Sequence, residues 1–544
     1  MIMMRPALGA AAILAALAPS ILTAQPEQNQ APRFRSGTTL VEFTVVALDG
    51  DGKPVIDLVK EEVVVTEQGQ VRELAFFRFD GPGEKREPEP LGPGLFTNRP
   101  EYVAGPPRNV TAIVLDAIHT LPSDQAVVRA QLLRYLNTIE PDTRIAIYRM
   151  GWRTTVVHDF TDDVASVRAR MEKFVAEPSA YAPVDEMGPL DETVLSPTAR
   201  AALREAIEAM KGQEEQYRET VEDRKRFLAL ASLEALGNHL AGIPGRKNLV
   251  WIGVGMPIHT SFNGFLELHE RTFRRTAQRF ASQGISIYPV DAKGLEPPSS
   301  LTTAVGMRSS RGGPPPRTQV GLPDQRAWAT MDIMAGVTGG RFSRNSNDLT
   351  NGIKAAAADL RGAYTLAFYS LGQPDGTWHD VDVKVKRRGV KLLHRQGYLS
   401  DPPKPQPTDW SEEQWRWAVA NPLGSSVIHL DARVERLRDA EAGTCGLLLL
   451  ISPDELTFRK KGDQLAADVD IVVAEKPPSG AFSFRVGATT LTVPAGKDTT
   501  GTVVRYRDRW KIKPDTTTIR LVVRDRFTGR HGTLDIPLKQ VPVG

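Results

Sequence analysis

The sequence predicts a multidomain protein built on an α/β, Rossmann-like domain with β-sandwich elements on either side. Three observations carry that prediction. The runs Thr111–Asp116, Asn248–Gly253 and Ile285–Asp291 are apolar throughout and have the length of strands buried on both faces. Helical patterns near 123–139, 226–241 and 265–283 alternate with them, as in a wound parallel sheet. Before and after that stretch, short alternating runs separated by Gly, Asp and Asn have the signature of antiparallel strands.

The chain has 544 residues, more than one core accommodates, with 41% apolar and 24% charged residues and a net charge of +3. That charge is thinly spread, with no dense Lys/Arg patch, so no nucleic-acid partner is expected. Arg5, the apolar stretch Ala7–Leu22 and the small residue Ala24 read as a signal peptide over 1–24, cleaved after Ala24, and predict a secreted or periplasmic protein. No later apolar run reaches the roughly 18 residues of a membrane span. The one cysteine, Cys445, has no partner for an internal disulfide and reads as structural.

In order, residues 34–80 form a β module with strands near 39–48, 63–67 and 74–79, turned by Asp49-Gly50-Asp51-Gly52 and Gln68-Gly69-Gln70. It is too small to be stable alone and is expected to pair with 363–398, where 364–369, 381–385 and 392–394 are strand-like. Residues 81–108, rich in Pro and Gly, read as a linker. The α/β domain spans 109–362. Its strand pair is 144–148 and 154–158, Thr161-Asp162-Asp163 caps a helix to about 176, and helices near 325–336 and 347–361 close it. Insertions fall near 177–226, a charged stretch, and 294–324, rich in Gly, Pro, Ser and Arg. After the β segment 363–400 and a linker at 401–409, residues 410–544 read as a β-sandwich of about seven strands. The clearest are 427–437, 446–452, 465–474, 518–525 and 532–537. Trp410, Trp415 and Trp417 precede it, read as a short helix packing on the sandwich or, alternatively, as an exposed aromatic platform for glycan or protein.

Several segments in this order resemble the von Willebrand factor type A domain, and more closely the secreted group of such proteins described from Acidobacteria. They are Val63–Phe79, Asn109–Thr120, Pro244–Trp251, Ile287–Ala292, Gly339–Phe342 through Asn347–Leu349, and Gln396–Tyr398, covering roughly 35–400. The resemblance implies a Rossmann-like fold that binds rather than catalyses. It also implies a metal-ion-dependent adhesion site at the strand tips, opening on Asp-x-Ser-x-Ser and holding Mg²⁺ or Mn²⁺ through hard oxygens. Here Asp116 fits the first position and Thr120 the last, but Ile118 stands where the first Ser belongs. The later loop Thr is not evident, Ser232 being the nearest substitute, and no Asp occupies Gly253–Gly255. The site therefore reads as degenerate, with Asp116 and Thr120 as its remaining metal ligands and Asp116, His119 and Thr120 as the partner-binding surface. The alternative to a binding role for Asp116 is a helix N-cap or a carboxylate bonded to backbone N–H groups.

Signatures of catalysis are missing. There is no Gly-x-Ser-x-Gly elbow, His269-Glu270 lacks a second zinc-binding His, and Gly253-Val254-Gly255 lacks a third glycine. Asp116 and Asp291, if on neighbouring strand tips, would make an acid pair. The reading is an exported, non-catalytic adhesion-type protein that engages another protein. The alternatives are a structural envelope component with an inert tip and a secreted hydrolase.

Overall fold

The computed structural model describes residues 38–80, 90–99, 110–139, 143–176, 224–255, 266–292, 322–344, 348–371, 377–400, 409–438, 441–480, 482–494 and 503–543, less Trp152 and Pro244, with the single positions Tyr102, Val221 and Asp375. The expected signal peptide and most of both insertions lie outside the described residues.

The first strands are β1 (Thr38–Leu48), β2 (Val63–Glu67), β3 (Gln70–Arg72), β4 (Leu74–Phe79) and β5 (Leu95–Thr97). The α/β region follows as β6 (Val110–Asp116), α1 (Pro122–Leu136), β7 (Ile145–Met150), β8 (Thr155–Thr161), α2 (Val164–Glu172), α3 (224–240), β9 (Lys247–Gly253), α4 (Leu266–Ser282), β10 (Ile285–Asp291), α5 (Leu322–Thr338) and α6 (Leu349–Asp359). Next come β11 (Ala363–Leu371), β12 (Thr377–Val385), β13 (Lys391–His394), β14 (Gly397–Ser400) and α7 (Glu412–Ala420). The chain ends with β15 (Asp431–Arg436), β16 (Thr444–Ile451), β17 (Arg459–Lys461), β18 (Gln464–Lys476), β19 (Ser483–Pro494), β20 (Val504–Lys511), β21 (Thr518–Asp525) and β22 (His531–Pro537).

Strands from both sides of the α/β insert close one sandwich. One sheet has the order β13-β1-β11-β4 and the other β14-β12-β2-β3. β1 runs antiparallel to β11 from Thr38↔Leu371 to Val46↔Ala363, and β12 meets β2 from Val381↔Glu67 to Val385↔Val63. Alternate residues supply the shared core: Val41, Phe43 and Val45 face Leu366 and Phe368 together with Val65, Val381 and Val383. Each large apolar side chain buried in this way contributes roughly 1.5–3 kcal/mol, which neither half obtains alone.

The central sheet has the order β10-β9-β6-β7-β8, parallel except for β8. Strands β6, β7, β9 and β10 are buried on both faces, and the edge strand β8 is half-buried. Val110, Ala112 and Val114 of β6 pack in one layer with Leu233 and Leu236 of α3, Phe273 and Phe280 of α4 and Met331 and Met334 of α5. Ile113 and Leu115 point the other way, towards Val128 and Leu132 of α1, Val167 of α2 and Ile353 of α6. At the start of α2, Asp163 Oδ1 accepts from the N–H groups of Ala165 and Ser166, the expected cap.

The stretch read as a linker over 81–108 contains a strand. Leu95–Thr97 pair with Arg433–Asp431, so β5 is the outer strand of the sheet β20-β16-β15-β5 in the C-terminal domain. A three-residue strand has no readable period, and pairing along the open side of β15 supplies its order. The facing sheet holds β18, β21 and β22, with β17 and β19 on β18. The C-terminal domain thus has more strands than the expected seven. α7 lays Trp415 on this sheet beside Val472 and Val522, while Trp417 is exposed. Cys445 is buried, and burial pushes its thiol pKa up.

The end of α3 fastens the α/β domain to the C-terminal one. His239 lies between the Gly424 carbonyl (2.9 Å) and the Tyr148 hydroxyl (3.1 Å). Gly242 donates to Ser426 Oγ at 3.0 Å, and a Cβ on Gly242 would meet the Ser426 carbonyl at 2.5 Å, so only glycine fits there.

Candidate functional site

In an open α/β sheet the strand order reverses at one point, and a crevice opens there at the carboxyl ends of the strands. Here the reversal is at β6, with β7 on one side and β9 on the other, and Asp116 is its last residue. Asp116 Oδ1 accepts from the backbone N–H groups of Ile118 (2.9 Å) and His119 (3.1 Å), and Oδ2 sits 3.0 Å from His119 Nδ1. Burial alone would raise the carboxyl pKa, but the His119 ring and the two N–H groups outweigh it and hold it below its usual value.

The three site residues named from the sequence are therefore brought together, but they face inward. The side chains of Asp116 and His119 are 0% and 4% exposed, and Thr120 is 2% exposed. They offer a partner almost no surface of their own, which revises the expectation of direct contact. The reason is local: a three-residue turn after a buried strand exposes polar N–H groups, and the nearest carboxylate closes on them. His119 Nε2 and Thr120 Oγ1 are buried without a hydrogen-bond partner. The Thr120 carbonyl accepts from Gln125 Nε2 at 2.9 Å, tying the turn to α1. Exposure begins with Leu121, 50% exposed, followed by Pro122 and Ser123. Beside it, Gln125, Ala126, Arg129, Lys173, Phe174 and Val175 line an open groove between α1 and the end of α2.

The donor set does not fit a hard-oxygen metal site. Oδ1 is occupied by two N–H groups, and Oδ2 is engaged with the His119 ring. A Cβ on Gly253 would lie 2.8 Å from Asp116 Cβ, so the tip of β9 has no room for a second acid. Among the described residues no group of three or more His, Cys, Asp or Glu side chains is placed to hold a metal ion. Ser232, the substitute considered for the missing Thr, is buried on α3. Asp291 is two strands from Asp116, with Gly253 between them, so the two are not the neighbouring pair considered above.

The motifs behind the family resemblance mostly build scaffold. Arg246 donates to Asn248 Oδ1 (3.1 Å), the Tyr288 hydroxyl (3.0 Å) and the Gly339 carbonyl (3.1 Å). Tyr288 in turn donates to Asp359 at 2.9 Å, which also pairs with Arg341. Gly340 packs so closely on β10 that a Cβ would fall 1.8 Å from the Ile287 carbonyl oxygen.

One polar centre escaped the sequence reading. Glu67, 1% exposed, accepts from Arg72 Nε (2.7 Å), Ser370 Oγ (2.7 Å) and Tyr398 Oη, and lies 3.0 Å from His379 Nδ1. Asp375 lies 3.3 Å from His379 Nε2. Burial would raise the Glu67 pKa; the hydrogen bonds from Tyr398, His379, Ser370 and Arg72 outweigh it and hold the carboxyl at about 2. The strands at 63–67 and 381–385 and the segment Gln396–Tyr398 were readable, but not that they bring these polar side chains together.

No family model matches the sequence, and no curated protein matches it. Solved structures with partial likeness include an aerotolerance-related membrane protein from Bacteroides fragilis, at 13% identity over 46% of this chain and 98% of that one, TM-score 0.25. Another is proximal thread matrix protein 1 from the mussel byssus, with a zinc-occupied metal-ion-dependent adhesion motif, at 10% identity over 48% of each chain, TM-score 0.23. A third is a von Willebrand factor type A protein from Catenulispora acidiphila, at 10% identity over 94% of this chain and 76% of that one, TM-score 0.24. Likenesses this distant carry no argument about ligand or partner. The strand order of the chain itself makes the central domain Rossmann-like, set between β-sandwich elements.

Proposed function

We propose that this chain is an exported, non-catalytic protein-binding protein that receives a partner protein on the rim of its α/β sheet. The observation that carries the reading is the use of Asp116 at the switch point. Its carboxylate is spent on the backbone of its own turn, and that turn delivers Leu121 half exposed to the surface. Asp116, His119 and Thr120 then act as the brace, while Leu121, Val127 and the groove beside α1 form the contact. The apolar content of that rim suits protein docking better than sugar or phosphate chemistry. Docking here does not route through Mg²⁺ or Mn²⁺, because the Asp116 oxygens are engaged internally. Export rests on the signal-like sequence at 1–24; among the described residues no helix is long and apolar enough to cross a membrane.

The test is a photo-reactive amino acid placed at Leu121 or Val127 in the native host, with a control at exposed Val486 on β19. A discrete crosslinked band from the rim positions alone supports the reading. Equal labelling at all three positions, or none, favours the structural envelope component. Turnover of ester or glycoside substrates that Asp116→Ala abolishes would favour the hydrolase.

A further inference from the structure

The C-terminal sandwich carries a second candidate surface, independent of the α/β rim. In β20, Val504 and Trp510 turn into the core, and Arg505, Arg507, Arg509 and Lys511 turn out, all exposed. Strand pleating spaces these cations about 7 Å apart along one line. Lys511 is paired with Glu441. Among the described residues, the side chains of Arg505, Arg507 and Arg509 form no ion pair, hydrogen bond or ring contact. Also among those residues, β20 pairs with β16 alone; no strand pairs with its other side, where Arg485 of β19 reaches Asp508 and the Trp510 ring.

We propose that β20 is a docking edge for an extended acidic peptide, which adds as a strand and sets carboxylates at alternate positions beside Arg505, Arg507 and Arg509. Three observations select this occupant. The cations repeat at the period of a strand, so a partner strand with alternating acids matches them one for one. The positive charge is also a line and not a field. Asp431 and Glu435 lie two strands away on the same face, flanking Arg433 on β15, so a broad anionic surface would meet acids as well as bases. Finally, a second copy is disfavoured, because antiparallel pairing of β20 with itself brings arginine against arginine.

The test is fluorescence anisotropy with the full-length chain and a labelled peptide of alternating Glu and Thr. The comparison probes are a block peptide of the same composition, the alternating peptide N-methylated along one edge, heparin, and vesicles containing anionic lipid. The alternating peptide is expected to bind, to weaken roughly tenfold or more in the Arg505→Glu, Arg507→Glu, Arg509→Glu variant, and to weaken similarly on N-methylation. No binding of the alternating peptide overturns the proposal. So does equal binding of the block or N-methylated peptide, or tighter arginine-dependent binding of heparin or vesicles, which would make β20 a general anion surface. If the triple reversal fails to fold by circular dichroism, Arg507→Gln and the N-methylated peptide on the unmodified chain decide between the same outcomes.

Discussion

Asp116 and Glu67 are both buried carboxylates, and they are satisfied in opposite ways. Asp116 takes its donors from residues at most three positions away, and the result is a turn. Glu67 takes its donors from four strands, with partners up to 331 positions distant, and ties together the two sheets of a sandwich. A local brace shapes one loop; a distributed one holds together segments that the α/β insert separates. Losing the first should loosen a surface, and losing the second should loosen a domain.

The largest expected effect is therefore at Glu67. Glu67→Ala leaves Arg72 and His379 without their shared acceptor, and should cost about 3–5 kcal/mol in urea unfolding followed by circular dichroism. The pH dependence follows from the same group. Its folded pKa, about 2, is below its ordinary value of 4.5. The stabilisation is therefore present above about pH 4.5 and lost as pH falls towards 2, amounting to about 3 kcal/mol. Glu67→Gln should flatten acid unfolding in that window; an unchanged acid limb would separate Glu67 from the sandwich's stability. Asp116→Ala is expected to cost less, about 1–2 kcal/mol, through lost bonds to the Ile118 and His119 N–H groups. Asp116→Asn, which keeps an acceptor at Oδ1, should recover much of that. Because the two braces share no partner, the double variant should be additive within about 0.5 kcal/mol, and a larger coupling in a double-mutant cycle would show that they act as one unit. The smallest effect is at Leu121, where Leu121→Ser should shift stability by no more than about 0.5 kcal/mol while removing rim crosslinking.

The same contrast explains what was legible in the sequence. β6, β9 and β10 announced themselves because a strand buried on both faces must be apolar throughout, and the Asp163 cap because its donors are adjacent. The pairing of 34–80 with 363–398 was readable from the need of each apolar face for a cover. Asp116 was readable as a strand-tip acid that either meets a partner or bonds to backbone N–H groups; the choice between them was not, since it depends on Gly253 leaving room beside it. Glu67 sits in an ordinary run, Val-Val-Val-Thr-Glu, and acquires meaning only from Ser370, His379 and Tyr398. β20 reads Val-Arg-Tyr-Arg-Asp-Arg-Trp-Lys, a charged stretch in which Val504, Tyr506 and Trp510 mark the core-facing side. Its cations are thinly spread along the chain, and pleating gathers them on one face.

The placement of β5 has a consequence for how the protein is made. Thr97 bonds to Asp431, 334 residues further on, so an early-synthesised segment must wait for nearly the whole chain before it finds its seat. Such distant closure is slow. A fragment starting at 410 would carry β15 with a bare flank, prone to stick to other chains. The third domain is thus clasped by residues that precede the second, and cutting the chain at 401–409 would not release it whole.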